Sequence, residues 1–80
     1  MIRVKLKLSG LMVKYYKTSP KAKMEYVDIP EGSTVGNLVD SYSIPRSKVH
    51  MVVLNNKRVN MDAVLRDGDE VWALPLAHGG

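Results

Sequence analysis

The reactive group this chain offers most openly is a carboxylate at its end. Its last residues read Leu74, Pro75, Leu76, Ala77, His78, Gly79 and Gly80. Glycine has no Cβ, so Gly79-Gly80 can thread a narrow channel and take backbone angles that other residues avoid. The Gly80 carboxylate is then unhindered on its own side, and such a tail can enter another protein's active site whole. The plain alternative is a frayed terminus with no role. A carboxylate is a poor electrophile. Once a partner converts it to an acyl-adenylate, it opens to attack by sulfide, persulfide or amine. The product is a thiocarboxylate, a thioester or an amide. On this reading the chain is a carrier, and its partner supplies the nucleotide site.

Other chemistry is sparse. His50 and His78 are the only histidines, and they make no metal-ligand pair at helical spacing. Asp67-Gly68-Asp69-Glu70 lacks the remaining oxygens of a calcium loop and reads as a turn. The glycines match neither a dinucleotide-binding turn nor a P-loop. No nucleophile–base arrangement is supported. Cysteine is absent, which removes disulfides, thiolate metal sites and a cysteine nucleophile, and is compatible with a reducing cytoplasm. Eighty residues make one small domain with a modest core and little room for a water-excluding pocket. The expectation is no intrinsic catalysis, no bound cofactor and no metal.

The composition, 45% hydrophobic and 25% charged, is ordinary for a globular fold. No apolar run approaches membrane-spanning length. The alternating N-terminus lacks the blocks of a signal peptide, so the cytoplasm is the expected location. Net charge is +4, unevenly spread. Residues 1–23 hold seven basic residues and no acid; residues 24–80 hold five basic and eight acidic residues. A basic half of this kind can meet nucleic acid or an acidic protein surface. It is equally what a solvated sheet face looks like, and nucleic acid is not the expected partner.

The elements that must position the tail can be read in order. Ile2, Val4, Leu6 and Leu8 alternate with Arg3, Lys5 and Lys7, the period of a half-buried strand. Ser9-Gly10 reads as a turn or bulge, Leu11 to Tyr16 as a less regular apolar stretch, and Lys17 to Lys23 as a mobile loop. Met24 to Ile29 forms a second strand, antiparallel to the first, with Val27 and Ile29 on its core face. Ser33 or Thr34 caps a helix whose stripe is Val35, Leu38, Val39 and Tyr42. Gly36 weakens that helix and Pro45 ends it. Val49 to Leu54 is a strand near the middle of a sheet, and Asn55-Asn56 a tight turn into a short strand, Lys57 to Val59. Met61 to Leu65 reads as a brief helical turn or loop, capped by Asp62 and anchored by Val64 and Leu65. The Asp-Gly turn feeds the last strand, Val71 to Leu74, which Pro75 closes. One helix across a mostly antiparallel sheet is an α+β arrangement, with the first and last strands side by side at its centre. The whole, residues 1–80, reads as a single domain with a flexible tail, residues 75–80.

Three segments then carry a family likeness: Val53 to Val59, Leu65 to Val71, and Leu74 to Gly80. Together they resemble the ubiquitin-like sulfur carriers, namely the molybdopterin synthase small subunit and the thiamin-biosynthesis sulfur carrier (MoaD/ThiS). The resemblance covers the C-terminal third well, and the order of elements extends it over the whole length. It implies a ubiquitin-like β-grasp: a mixed sheet of four to five strands packed on one short helix. It also implies that a ubiquitin-activating-like adenylyltransferase, using ATP and magnesium, adenylates Gly80. A sulfur donor enzyme then delivers persulfide sulfur to give a thiocarboxylate. The tail would serve a molybdopterin synthase large subunit or a thiazole synthase. Partner-binding residues would be Trp72, Leu74, Pro75, Leu76, Ala77 and His78, with Gly79 and Gly80 as the carrier end.

If Val71 and Ala73 face the helix, Trp72 and Leu74 face the opposite side of the sheet. Trp72 there is either an interface anchor or a ring covered by the Lys17–Lys23 loop. Two other functions use the same chain. One is a protein modifier joined through Gly80 to a lysine. The other is a basic module that binds RNA or protein through its N-terminal face, for which Gly80 is dispensable and Lys5, Lys7 and Lys14 are not.

Overall fold

Strand β1 (Ile2–Leu8) buries Ile2, Val4, Leu6 and Leu8 and turns Arg3, Lys5 and Lys7 to the other face. The computed structural model describes residues 1–19 and 21–75. β1 pairs antiparallel with β2 (Glu25–Ile29) and parallel with β5 (Glu70–Pro75). β5 pairs antiparallel with β3 (Val49–Leu54), which pairs antiparallel with β4 (Lys57–Val59). The sheet therefore has five strands in the order β2-β1-β5-β3-β4. The expected adjacency of first and last strands holds, and β5 is the central strand.

Helix α1 (Val35–Ser41) starts where the sequence offers a cap. Of the two candidates, Thr34 serves. Its Oγ1 accepts from Asn37 N at 3.1 Å, and Asn37 Oδ1 accepts from Thr34 N at 2.9 Å, a reciprocal capping box. Ser33 instead donates its hydroxyl to the Pro30 carbonyl. Val35, Leu38, Val39 and Tyr42 are all buried. They join Val4, Leu6, Val71 and Ala73 in one apolar cluster on one face of the sheet. Full burial of a Val or Leu contributes about 1.5–3 kcal/mol, so this single face holds most of the folding energy. The helix ends at Ser41, ahead of Pro45, as Ser43 takes a positive φ of 56°.

Asn55 and Asn56 both have positive φ, 49° and 71°, as their tight turn requires. Three other segments depart from expectation. Leu11 to Tyr16 is not irregular, because Gly10–Tyr15 forms a 3₁₀ helix that buries Met12 and leaves Leu11 exposed. Met61 to Leu65 takes the loop form of the two expected, and departs only in what it anchors. Its carbonyls serve α1, with Met61 O accepting from Gly36 N and Ala63 O from Val35 N, both at 2.9 Å. A strand-like bridge then joins Thr34 to Val64. In an extended segment neighbours point opposite ways, so Leu65 is buried while Val64 is exposed and anchors nothing. Finally, the loop after Tyr16 is pinned at both ends. The buried Tyr16 hydroxyl accepts from Leu8 N at 2.7 Å and donates to Lys23 O at 3.1 Å, while the Glu25 carboxylate accepts from Lys17 N and Thr18 N.

Candidate functional site

The site is organised by the path that carries β5 to its end. The Asp67-Gly68-Asp69 turn is a turn, as its composition implies, and it is fastened on two sides. Against β1, Arg3 N donates to Asp67 Oδ1 and Gly68 N to Arg3 O, each at 2.8 Å, and Lys5 N donates to Asp69 O at 2.8 Å. Against the β3–β4 hairpin, Asn55 Nδ2 donates to Asp69 Oδ1 at 2.8 Å, and Glu70 N donates to Asn55 Oδ1 at 2.9 Å. Gly68, with φ at +87°, supplies the left-handed residue the turn needs. β5 is thus placed before its first residue enters the sheet.

Within β5, Val71 and Ala73 lie fully in the core, and Trp72 is exposed on the outer face. The alternation expected for these residues is observed. Lys7, Trp72, Val53 and Arg58 form one row across β1, β5, β3 and β4, and Leu74 sits beside Met51. The Trp72 ring is held by residues outside the Lys17–Lys23 loop. Its Nε1 donates to Ser9 Oγ, and Lys7 Nζ stands 4.9 Å from the ring centroid and 3.9 Å from Glu70 Oε1. An ammonium over an indole face contributes about 0.5–1 kcal/mol at an exposed site. Trp72 is therefore held in one orientation while much of it remains open. Tyr26, 63% exposed, carries Lys5 in the same manner at 5.9 Å on the same face.

Pro75 is the last residue of β5 and not the first of a tail, which corrects the 75–80 boundary. It pairs with Val49 across a register shift. It also lies close to Gly10, whose φ is +58° and where an added Cβ would stand 3.2 Å from Pro75 Cγ. A left-handed residue with a side chain costs about 1–2 kcal/mol. Gly10→Ala is therefore expected to lower unfolding free energy by about that amount, read from the urea midpoint, and to shift the NMR signals of Pro75. An unchanged midpoint would remove this contact from the account of how the strand end is fixed.

The family model for Mut7-C ubiquitin matches residues 1–79. The chain belongs to the Mut7-C ubiquitin family. No curated protein sequence matches it. Solved structures match this Mut7-C ubiquitin chain over nearly its whole length. Haloferax volcanii small archaeal modifier protein 1 is 20% identical with a TM-score of 0.73, covering 96% of this chain and 100% of that one. A chain of the complex of subunits 1 and 2 of the molybdopterin-converting factor from Helicobacter pylori is 19% identical, with a TM-score of 0.62 and coverage of 99% and 100%. Urm1 from Trypanosoma brucei is 20% identical, with a TM-score of 0.65 and coverage of 98% and 95%. At these identities the likeness establishes the fold, which is the ubiquitin-like β-grasp the sequence resemblance implied.

For a Mut7-C ubiquitin chain, the residues expected to matter then fall into two groups. Trp72, Leu74 and Pro75 are brought together at the outer face and end of β5. Leu76, Ala77, His78, Gly79 and Gly80 lie outside the described residues. Among the described residues, no three of His, Cys, Asp and Glu are grouped to hold a metal ion, and no helix is long and apolar enough to cross a membrane. One polar residue went unread in the sequence: Glu25, buried at the inner face of β2 opposite Leu6. The signal was there, since residues 25, 27 and 29 share a face and two of them are apolar. Burial pushes its carboxyl up, but the Thr18 hydroxyl, the Tyr42 hydroxyl and the Lys17 and Thr18 amides outweigh this and hold its pKa at about 2. The Tyr42 phenol is pushed up in turn, by burial first and then by its hydrogen bond to Glu25.

Proposed function

We propose that this chain is a sulfur carrier without catalytic groups of its own, charged at the Gly80 carboxylate. The observation that carries this reading is that β5, the central strand of a ubiquitin-like sheet, ends at Pro75, five residues before Gly80. Five residues span at most about 17 Å when extended, enough to reach into a partner's active site while the sheet stays outside. A partner adenylates Gly80 with ATP and magnesium, and a persulfide sulfur then displaces AMP from the acyl-adenylate. Cleavage of the S–S bond by an external thiol leaves the thiocarboxylate. The likeness to a chain of the molybdopterin-converting factor complex supports a larger acceptor subunit as the recipient of the sulfur. Trp72, Leu74 and Pro75 would form the docking surface nearest the tail.

The likeness to small archaeal modifier protein 1 supports a second reading, in which the activated Gly80 is transferred to a lysine of another protein. One measurement separates the two: the mass of the tryptic peptide Asp67–Gly80 from protein purified from its own cells. Replacement of one oxygen by sulfur, with reactivity toward a thiol alkylator, is the expected result for the carrier. A branched peptide on a foreign lysine would instead establish the modifier.

A further inference from the structure

The end of β5 borders a groove between two short 3₁₀ segments. Leu11, Met12, Tyr15 and Pro75 form its apolar walls, and Lys14 and Lys48 stand at its edges. Its volume is about 290 Å³, and no acidic residue lines it. Leu11 is 85% exposed at its rim. Among the described residues neither lysine has a salt bridge; Lys14 lies over the Tyr15 ring at 5.4 Å. The 3₁₀ helix Gly10–Tyr15 presents one wall, and a second short 3₁₀ turn, Arg46–Lys48, places Lys48 opposite.

We infer that this groove seats a segment of the activating partner: one large apolar side chain flanked by carboxylates. The inference rests on the carrier reading for the partner's identity, but its chemistry comes from the groove. An active site that takes Gly80 must stand within about 17 Å of Pro75. Pro75 is itself a wall of the groove, so the rim of that active site covers it. An apolar slot with an exposed leucine at its lip accepts an aliphatic or aromatic anchor. Two ammonium groups at its edges, neither in a salt bridge among the described residues, select an acidic segment over a basic one. The groove lies at the end of the strand that bears Trp72, with Pro75 as a wall, so it adds a second, charge-selective contact to the docking surface.

Two measurements test this. The first is an NMR titration of the ¹⁵N-labelled full chain with a short capped peptide holding one leucine between paired aspartates and glutamates. Shifts are expected at Leu11, Met12, Tyr15 and Lys48, and should be lost in K14E/K48E and with a peptide whose acids are replaced by lysines. No shifts, shifts elsewhere, or shifts that survive charge reversal would overturn the inference. The second is ATP–pyrophosphate exchange by the adenylating enzyme of its own cells, with the chain as varied substrate. Leu11→Ser and K14E/K48E are each expected to raise KM at least tenfold with kcat within twofold. An unchanged KM would overturn the inference while leaving the carrier reading in place. No exchange with the native chain would count against the carrier reading, and the titration would still decide the groove.

Discussion

A chain shortened by Gly79 and Gly80 is expected to lose adenylation and sulfur transfer by at least about 100-fold while folding normally. The first half follows from chemistry. Removal leaves His78 as the terminus, two residues nearer the sheet, and places an imidazole and a Cβ beside the carboxylate, where glycine offered no obstruction. A misplaced reacting atom of this kind costs about 100-fold or more. The second half follows from where the core lies. Among the described residues, every buried apolar residue of the cluster falls between Ile2 and Ala73, so the truncation removes none of these. Surface changes away from such features stay within about 0.5 kcal/mol. Thermal unfolding should therefore match the native chain, and pyrophosphate exchange should fall to background. Normal sulfur transfer by the shortened chain would defeat the carrier reading outright.

The largest effect on stability is expected at Glu25. Its carboxylate accepts from Lys17 N at 3.1 Å, Thr18 N at 2.6 Å, the Thr18 hydroxyl, and the Tyr42 hydroxyl at 2.7 Å. Glu25→Gln keeps the volume but turns an amide NH₂ toward donors. Hydrogen bonds to a charged group contribute about 1.5–3 kcal/mol each, and an orphaned buried donor costs a similar amount. A net loss of about 3 kcal/mol is expected, a large share of the 5–15 kcal/mol that small domains have. The pH dependence has a definite sign. Glu25 titrates near 4.5 when unperturbed and at about 2 when folded, so between these values the unfolded chain binds more protons. Its contribution is full above about pH 4.5 and disappears as pH falls toward 2. The native chain should lose stability through that window, and Glu25→Gln should lose less over the same range. Parallel curves, or a variant as stable as the native chain at pH 7, would show that the four donors are satisfied without the charge.

The order of strands and helix was legible because its strongest signals are periodic, and the β-grasp was what the family resemblance implied. The alternation from Ile2 to Leu8 admits one face for burial, and the stripe from Val35 to Tyr42 admits one helix face. Asn55-Asn56 and Asp67-Gly68 carry turns whose backbone angles few residues share. What escaped reading depends on partners distant in sequence. Val64 looked like an anchor because it is apolar beside Leu65. The carbonyls of Met61 and Ala63 are recruited by free amides of α1, which stretches the segment and turns Val64 outward. Glu25 went unread, since only the fold brings Tyr42 and the Lys17–Thr18 amides to it. Of the site, the outward placement of Trp72 followed from strand alternation. The ring's fastening by Ser9 did not, because the two residues are far apart in the chain and meet only through the parallel pairing of β1 with β5.

That pairing bears on how the protein is made. The central strand of the sheet comes after the other four in the chain, and it separates β1 from β3. Until it emerges from the ribosome, the β1–β2 and β3–β4 hairpins have no common sheet, and two-stranded hairpins are marginal alone. Folding of the sheet must therefore wait for β5 and then bring it back beside β1, a contact of large sequence separation and of a slow class. A message cut short before β5 yields no stable fold. A folded β-grasp is thus evidence that synthesis has passed β5, the strand that joins the two hairpins into one sheet.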